Sequence, residues 1–463
     1  MGAYDRAPFR WTSQAVDSLP VRVEGRVPDW LRGQLVRTAP ALFERGGWRA
    51  GHLFDGQSLL YGFHLAPEQV TFQQRLLASK TLAAIDRGKP VSGFATRLQR
   101  SWWQRLLRPI PPLTDNTNVN VVPFQGHWLA LTESPEQHVI DRGSLASRGV
   151  FAYDDELPRA LMMSAHPQPC PRGGAWVNVG TLFGKVSEWV VFRQALDGRS
   201  RIVEGKLPLP RVPYLHSFGV TARHVVLIDH PLAANPLRML FSNRGYIDHF
   251  RWQPERGTRL WKLDRRGGQF TAYETEPLFC FHTVRAFERG DELVVDLLAY
   301  EDAQIVDAFR TERLAQAFPS IMPRYLRARL MPTKRTVELE TLSTTRFEFP
   351  SSSPTNQYAW GVTLKDGEGP GWGSEVVRIA EDGTQRFADP AYTWGEPVYV
   401  ARPGAEADDD GVLLTTGHHV AGDRAVLAIL DARTLEPRAR CEVALSLPFG
   451  FHGSFRAAAR PGA

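Results

Sequence analysis

The sequence has few cysteines and no long apolar run, and each absence excludes a class of protein. Its 463 residues include only Cys170, Cys280 and Cys441, too few for a disulfide framework and without a CxxC metal motif. No stretch approaches the roughly 18 apolar residues that a membrane-spanning helix needs. The first residues, MGAYDRAPFRWTSQ, lack the apolar core of a signal peptide, and Arg6 stands where a myristoylation site has Ser or Thr. We therefore expect a cytoplasmic protein, with any membrane contact at the inner face and peripheral.

The sequence also has little excess charge of either sign. It holds 55 basic and 50 acidic residues, for a formal net charge of +5, and 43% of its residues are hydrophobic. These values are typical of a globular protein and do not indicate a nucleic-acid partner. The mild basic excess is compatible with ordinary solubility or with contact to an anionic lipid surface, and the composition does not decide between them.

Short alternating apolar runs dominate the chain and predict an all-β protein. Examples are HVVLIDH (224–230), DELVVDLLAY (291–300) and GVLLTTGHHV (411–420), separated by turn sequences such as LDGRS and EDGT. No low-complexity linker divides residues 1–463, so we expect a single domain. A β-propeller with a helical or loop lid accommodates this length, although no repeat is visible from which to count its blades.

Two segments depart from the β pattern. Residues 302–318, DAQIVDAFRTERLAQAF, space their apolar residues helically and predict a helical insertion. Residues 94–112, FATRLQRSWWQRLLRPIPP, predict an amphipathic helix with arginines opposite an apolar face. That face is compatible with docking on the protein core or with lying in a membrane interface. In the second case the membrane-contacting residues would be Trp102, Trp103, Leu106 and Leu107.

Four of the 13 histidines have apolar or aromatic neighbours at predicted strand edges: His166, His216, His282 and His452. Their wide separation excludes a local zinc finger or an HExxH helix. A propeller could bring them together if inner strands of different blades each pointed one imidazole at the axis, although spacing alone also allows four unrelated core histidines. We expect structural roles for His52, His64, His127 and His138, and opposite sheet faces for His418 and His419.

Three glutamates stand in equally apolar, strand-like surroundings: Glu133 in LALTESP, Glu348 in TRFEFP and Glu396 in TWGEPVYV. A buried carboxylate is costly unless it is paired. A metal-bound imidazole commonly donates its other N–H to a carboxylate, which fixes its tautomer. Three such glutamates and four such histidines therefore favour one shared site over seven separate burials.

Nearly the whole chain resembles the carotenoid cleavage oxygenases, and in particular the animal branch of β-carotene oxygenases and the retinal-pigment isomerase. The matching motifs follow in the family's order: VPDWLRGQLVRTAP (27–40), LFDGQSLLYGF (53–63), DNTNVNVV (115–122), SAHP (164–167), HSFGVT (216–221), FHTVRAFE (281–288), FEFP (347–350), GEPVYVARPG (395–404) and FHG (451–453).

The resemblance implies a seven-bladed β-propeller that holds Fe(II) on four histidines. The implied iron ligands and catalytic residues are His166, His216, His282 and His452. It also implies that Glu133, Glu348 and Glu396 bond to three of these imidazoles, in a pairing that the sequence leaves open. Because they flank these residues, Thr132, Tyr214 and Phe218 are our candidates for lining a substrate tunnel.

The activity implied by the resemblance is a dioxygenase that cleaves one C=C bond of a carotenoid or apocarotenoid with O2. The products would be two carbonyl compounds, of the retinal type for some substrates, and the lipophilic substrate would come from a membrane. Alternative functions are cleavage of a stilbene-type alkene, isomerohydrolysis without O2, carotenoid binding without cleavage, or an interaction module. The complete set of histidines and glutamates argues against the last of these.

Overall fold

Seven antiparallel sheets of four to six strands surround one axis, so the prediction of an all-β propeller is confirmed and the blades number seven. The computed structural model describes residues 9–316, 320–353, 357–363 and 373–458. Five blades are separate sheets, and an eight-stranded sheet contains the other two. The outer strands of those two blades join through a short parallel pairing at Glu274 and Thr336.

The first four blades consist of the following strands, in spatial order from the outer edge of each blade to the axis. Blade 1 contains Val16–Pro20, Gln69–Leu76, Gln57–Ala66, Gly33–Leu42 and Gly453–Ala457. Blade 2 contains Ser147–Val150, His138–Ile140, His127–Leu131 and Asn120–Phe124. Blade 3 contains Arg201–Leu209, Ser187–Ala195, Ala175–Leu182 and an inner strand in two pieces, Met162–Met163 and Gln168–Pro169. Blade 4 contains Phe270–Thr275, Thr258–Asp264, His224–Asp229 and Gly219–Val220.

The other three blades complete the ring in the same order. Blade 5 contains Thr336–Ser343, Arg324–Met331, Glu292–Tyr300 and Phe279–Arg289. Blade 6 contains Gly383–Ala388, Glu375–Ala380, Ala359–Thr363 and Glu348–Ser352. Blade 7 contains Arg22–Gly25, Pro437–Val443, Ala425–Asp431, Gly411–His419 and an inner strand in two pieces, Tyr392–Trp394 and Val398–Ala401.

Burial follows the position of each strand in its blade. Middle strands such as Gly33–Leu42 are buried almost throughout because neighbouring blades cover both of their faces. The outer strand Gly383–Ala388 is almost entirely exposed. Apolar side chains of adjacent blades pack together, as where Leu59 of blade 1 shares a core cluster with Leu427 of blade 7. The core is therefore a ring of interfaces between blades, which leaves the axis free for polar groups.

Both ends of the chain close the ring. Near the N-terminus, the second strand, Arg22–Gly25, pairs with Pro437–Val443 of blade 7. The C-terminal strand Gly453–Ala457 pairs with Gly33–Leu42 and becomes the innermost strand of blade 1. Because the last strand returns to the axis, the residues just before it lie at the centre of the molecule.

Segments that connect strands, some within a blade and some between blades, form a layer over one end of the axis. It contains the α-helices Lys80–Asp86, Trp102–Leu107, Gln304–Ala308 and Thr311–Leu314, and the 3-10 helices Leu53–Asp55, Pro236–Met239, Ile247–His249 and Pro254–Arg256. It also contains the hairpin Glu44–Arg45 and Trp48–Arg49, and a three-stranded sheet of Val212–Pro213, Leu232–Ala234 and Phe250–Trp252. Within the described ranges, no helix is both long enough and apolar enough to span a bilayer.

The two segments expected to be helical contain less helix than the periodicity predicts. Of residues 94–112, only Trp102–Leu107 is helical, with Ser101 and Gln104 forming a capping box at its start. Leu98 lies before the helix and is buried in the protein, where its N–H bonds the carbonyl of Asn243. Residues 302–316 hold two helices of five and four residues, while 317 and 318 lie outside the described residues.

Candidate metal centre

Seven residues meet at one end of the axis, and each blade contributes one of them. Blades 1, 3, 4 and 5 contribute the four histidines that the sequence singled out, and blades 2, 6 and 7 contribute the three glutamates. The seven are His452, Glu133, His166, His216, His282, Glu348 and Glu396, in blade order.

Their positions relative to the strands explain this convergence. His216 and His452 come just before the inner strands of their blades, and His282 lies near the start of Phe279–Arg289. His166 and Glu396 lie in the breaks of the two divided inner strands. Glu348 begins its inner strand, whereas Glu133 follows a strand antiparallel to the inner one, so both reach the same end of the axis.

The four imidazoles are buried and point their Nε2 atoms at one another. All four ligand atoms lie within 4.8 Å of each other. The Nε2 atoms of His166 and His216 are 3.0 Å apart, and those of His282 and His452 are 3.1 Å apart. Two nitrogen ligands at about 2.1 Å from one ion and at right angles would lie roughly 3.0 Å apart. The spacing therefore fits a single shared cation.

Each glutamate bonds one imidazole from behind, and the structure resolves the pairing that the sequence left open. The Nδ1 atom of His216 contacts Glu133 Oε1 in a short hydrogen bond. The Nδ1 atom of His282 lies 2.6 Å from Glu348 Oε2. The Nδ1 atom of His452 lies 2.7 Å from Glu396 Oε1. Within the described ranges, His166 has no carboxylate partner of this kind.

These carboxylates fix the tautomers and so test whether a metal fits. Burial favours protonation of Glu348, but its attraction to the His282 ring and several hydrogen bonds outweigh burial and lower the carboxyl's pKa. The pKa of Glu396 is lowered in the same way, by His452. Ionised carboxylates only accept, so both imidazoles donate Nδ1–H to them, and in a neutral ring with this tautomer the lone pair lies on Nε2. Two lone pairs 3.1 Å apart cannot bond each other, whereas a cation between them can bind both.

The surrounding charges also suit a divalent ion. Burial, together with the neighbouring imidazoles of His216 and His452, lowers the pKa of His166 well below its ordinary value, so this ring is neutral as well. Arg37 is fully buried and lies 3.6 Å from the carboxylate of Glu396. One arginine and a divalent ion would balance the three carboxylates, which removes the penalty of burying a net charge.

The glycines around His452 are required by this packing. Arg37 donates to the carbonyls of Glu396 and Phe451, at 2.8 and 2.7 Å, so its side chain lies along the segment that presents His452. A Cβ on Gly453 would come within 2.5 Å of Arg37 Cγ, and a Cβ on Gly450 within 2.5 Å of the Tyr61 hydroxyl. Only residues without a side chain let the chain pass this close to Arg37.

A cavity of about 570 Å³ leads away from the imidazoles. His216, His282 and His452 line its inner end. Phenylalanines from the lid and the inner strands contribute to its walls, and the ring of Phe54 contacts those of Phe281 and Phe451 there. The surface of the cavity is therefore mainly apolar, with aromatic rings close to the site.

Of the three candidate tunnel residues, the structure places only Thr132 in the cavity wall. The expectation for Tyr214 is wrong because its ring lies behind the site and its hydroxyl donates to Glu133, at 2.9 Å from Oε2. The expectation for Phe218 is wrong because its fully buried ring packs among apolar side chains of blades 3 and 4, including Val177 and Leu227.

Other predicted residues lie away from the site. His52 accepts from the N–H of Phe54 and bonds the carbonyl of Val306, which is a structural role. His138 pairs with Asp115, and His64 and His127 are only partly buried. His418 is buried while His419 is partly exposed, in agreement with their opposite faces.

Sequence reasoning missed two residues that hold the glutamates. The Tyr300 hydroxyl donates to Glu348 Oε1 at 2.6 Å. The guanidinium of Arg37 holds Glu396 through the ion pair described above. An arginine in the apolar run GQLVRTAPAL is a signal that could have been used, because a buried arginine needs an anionic or carbonyl partner. Tyr300 ends an ordinary strand and carries no such signal.

The segment around Trp102 lies at the outer end of the cavity. Exposed apolar side chains from two segments form one patch there, which we call the mouth patch: Trp102, Trp103, Leu106, Leu107, Ile110, Leu113, Leu237, Leu240 and Phe241. The N–H of Phe241 bonds the carbonyl of Pro109 at 3.0 Å and holds the two segments together. Ile110, Leu113, Leu237 and Leu240 also line the cavity. Leu107 is 80% exposed.

Comparison with known proteins extends over almost the whole chain. A family model described as RPE65, retinal pigment epithelial membrane protein, matches residues 9–457. The chain is 29% identical to a carotenoid isomerooxygenase of Galleria mellonella, over 96% of this chain and 94% of that protein. It is 25% identical to apocarotenoid-15,15'-oxygenase of Synechocystis sp. (strain ATCC 27184 / PCC 6803 / Kazusa), over 98% and 95%.

Solved structures show the same fold. A Glu150Gln mutant of the Synechocystis apocarotenoid oxygenase superimposes with a TM-score of 0.86 at 23% identity, covering 98% of both chains. A cobalt-substituted form of that protein gives a TM-score of 0.87 at 22% identity, covering 98% of this chain and 99% of the other.

Proposed function

Because the chain belongs to the RPE65 and carotenoid cleavage oxygenase family, we propose that it is a non-haem Fe(II) dioxygenase acting on a carotenoid or apocarotenoid. It cleaves one C=C bond with O2, and each of the two new carbonyl groups takes one oxygen atom, so no external reductant is needed. The supporting observation is the cluster of four histidine ring nitrogens at the inner end of a mainly apolar cavity.

The proposed metal ligands and catalytic residues are His166, His216, His282 and His452. Neutral imidazoles suit zinc, copper, iron and nickel alike. Zinc has no redox chemistry, whereas an oxygenase needs a metal that can exchange electrons with O2, which argues against zinc. The family's Fe(II) dependence favours iron among the rest. Bound Fe(II) would supply the activation of O2.

The residues of this chain prepare the site for that metal. Glu133, Glu348 and Glu396 hold the Nδ1 protons of three ligands, which keeps each Nε2 free and its ring oriented. Tyr214 and Tyr300 in turn hold two of the carboxylates. Pre-oriented ligands of this kind need no rearrangement when the metal binds.

The cavity accounts for the choice of substrate. A carotenoid has no charge to bind, so its position depends on shape and on contacts with apolar walls. Phenylalanines such as Phe54, Phe281 and Phe451 form those walls and keep water away from the polyene. Thr132 is the one candidate tunnel residue that remains, and we propose that it contacts substrate near the metal. Cleavage of a suitable apocarotenoid would give a retinal-type aldehyde.

The mouth patch provides the route for a substrate dissolved in lipid. Trp102 and Trp103 are 56 and 58% exposed, and tryptophan prefers the interface between lipid and water. Adsorbing this patch on a bilayer would let a polyene enter the cavity without crossing water. Because Cys170, Cys280 and Cys441 are all buried free thiols, we place the protein at a cytoplasmic membrane face.

One assay separates this function from its alternatives. Iron-loaded protein is given β-carotene, an apocarotenal and a hydroxystilbene in detergent, under isotopically labelled O2, and products are identified by mass. We expect labelled carbonyl products from a carotenoid substrate and no products from the His452→Ala variant. Cleavage of the stilbene alone, products without label, or binding of carotenoid without turnover would each overturn the proposal in favour of a different function.

A further inference from the structure

We infer that a small inorganic anion such as chloride binds between blades 5 and 6, on unpartnered hydrogen-bond donors of Arg285 and Tyr325. Neither residue lines the substrate cavity or belongs to the metal centre. The inference therefore does not depend on the proposed function, and it concerns a second site with a structural role.

Two arginines and one aspartate lie side by side on one face of blade 5. Arg285, Asp296 and Arg327 are opposite one another in register on three neighbouring strands. Asp296 accepts from both arginines, with its Oδ2 at 2.5 Å from Arg285 Nε and its Oδ1 at 2.8 Å from Arg327 Nε. The aspartate side chain is fully buried, and the arginine side chains are only 10 and 14% exposed. The three groups therefore hold a net charge of +1 in a largely buried place.

No other carboxylate neutralises this charge. Glu340 lies opposite Arg327 on the next strand, but its carboxylate bonds Arg329, at 2.6 Å from Nη2. Within the described part of the chain, Asp296 is the only carboxylate within 4.0 Å of Arg285 or Arg327. The Phe287 ring lies 5.9 and 5.3 Å from the two guanidinium carbons and offsets part of the charge. A buried charge without a counter-ion is unfavourable, so this place lacks an anion.

Two hydrogen-bond donors in this place also lack an acceptor. Arg285 Nη1 and the Tyr325 hydroxyl are both buried, and neither has a hydrogen-bond partner among the described residues. Tyr325 is 2% exposed and stands two residues before Arg327 on the same strand, so both side chains lie on one face. Burial raises the pKa of the Tyr325 phenol, and of the charges that act on this phenol, that of Arg285 has the largest effect. The two unpartnered donors therefore lie near each other.

A small anion would meet both needs at once. It accepts hydrogen bonds from both donors and cancels the excess charge, whereas a water molecule would only accept the hydrogen bonds. The Tyr325 ring packs on Phe347, with ring centroids 5.1 Å apart, and shares a core cluster with Ala359 of blade 6. The bound anion would therefore hold blades 5 and 6 together, and these blades carry the paired His282 and Glu348.

The test measures stability against chloride concentration, with gluconate replacing chloride at fixed ionic strength and urea unfolding followed by circular dichroism. Above the dissociation constant, each tenfold rise in chloride should raise the folding equilibrium constant about tenfold, because the ion binds only the folded protein. Arg285→Gln should abolish this dependence and Tyr325→Phe should reduce it, since each removes a donor. If the site were empty, Tyr325→Phe would instead remove an unsatisfied buried hydroxyl and raise the folding equilibrium constant on the order of tenfold.

The matched control is Arg378→Gln. Arg378 is also buried and shares Asp409 with Arg433, but Asp382 supplies a second carboxylate, so that group has no excess charge. The control should lose stability and keep the full chloride dependence. Because chloride can also bind a metal, the metal content of every variant is measured in parallel.

Three results would overturn the inference. They are stability of the unmodified protein that does not depend on chloride, equal chloride dependence in Arg285→Gln and the Arg378→Gln control, and a Tyr325→Phe variant more stable in chloride than the unmodified protein. Tyr325→Phe preserves the shape of the site, so it decides the question if Arg285→Gln does not fold.

Discussion

Replacing glutamate by glutamine should be tolerated at position 348 but not at position 396, because the two carboxylates receive their hydrogen bonds differently. Glu348 Oε2 accepts from both His282 Nδ1 and the N–H of Phe349, at 2.6 and 3.1 Å. Its other oxygen accepts from the Tyr300 hydroxyl. A glutamine can place its carbonyl oxygen where Oε2 stands, so that both N–H donors keep their acceptor. Its NH2 group then takes the place of Oε1, and the Tyr300 hydroxyl turns round to accept from it.

At Glu396 each oxygen accepts from a different N–H group. Oε1 accepts from His452 Nδ1 at 2.7 Å, and Oε2 from the backbone of Gly453 at 3.0 Å. In either orientation of a glutamine side chain, its NH2 group would face one of these two N–H donors, and two donors cannot bond each other. The backbone N–H cannot reverse, and the imidazole can do so only by moving its proton to Nε2, which removes the lone pair that the metal needs.

The magnitudes follow from these contacts. Loss of a partner behind a metal ligand weakens metal binding about 10- to 100-fold. A buried donor left without an acceptor costs a further 1–3 kcal/mol or so. We therefore expect Glu348→Gln to weaken Co²⁺ binding by about 10-fold and Glu396→Gln on the order of 100-fold or more.

The measurement is a Co²⁺ titration of metal-free protein followed by its visible absorption, with circular dichroism as a check on folding. Glu348→Leu and Glu396→Leu serve as matched controls, because leucine accepts no hydrogen bond at either position and should weaken binding similarly at both. Equal affinities for the two glutamine variants, or weaker binding by Glu348→Gln, would refute the argument from hydrogen-bond geometry.

Three further predictions concern other parts of the molecule. Replacing Trp102 and Trp103 with alanine should weaken vesicle binding while leaving turnover of a detergent-dispersed substrate unchanged; equal losses would indicate a role in the core. Gly453→Ala should lower the free energy of unfolding by about 1–3 kcal/mol in urea denaturation, because its Cβ would meet Arg37, whereas Gly143→Ala, with no contact closer than 3.5 Å, should lie within about 0.5 kcal/mol of the unmodified protein. Burial lowers the pKa of His418 to about 4, below its value of about 6.5 in the unfolded chain. Protonation of the unfolded chain therefore lowers the free energy of unfolding as pH falls from about 6.5 to 4, and this loss reaches about 2 kcal/mol at about pH 5. His418→Gln should therefore flatten the dependence of unfolding free energy on pH by one proton over that interval, and an unchanged slope would show that this ring does not titrate on unfolding.

Much of the candidate site could be predicted because its residues are unusual for their surroundings. His452 stands between phenylalanines and glycines, and Glu348 lies in an apolar run, so each needs a partner that a local reading does not supply. The order of motifs along the chain then indicated the family and, through it, the propeller. Blade number followed from that resemblance alone, since the blades share no visible repeat.

The errors arose where the fold decides which way a side chain points. Tyr214 and Phe218 flank His216 closely in sequence, yet one binds Glu133 behind the site and the other packs between blades. Of residues 94–112, only Trp102–Leu107 forms a helix, because the backbone of Leu98 bonds that of Asn243 in place of a helical partner.

The sequence by itself determined the chemistry of this protein: four imidazoles, three carboxylates and an apolar composition that must bury them. Only the tertiary structure decided which glutamate serves which histidine, that Arg37 balances Glu396, and that the cavity opens at a basic, apolar mouth. The physical reason is distance along the chain, since His282 and His452 are 170 residues apart. Contacts at such separations are formed by the closing of the ring, and no local pattern of residue types encodes them.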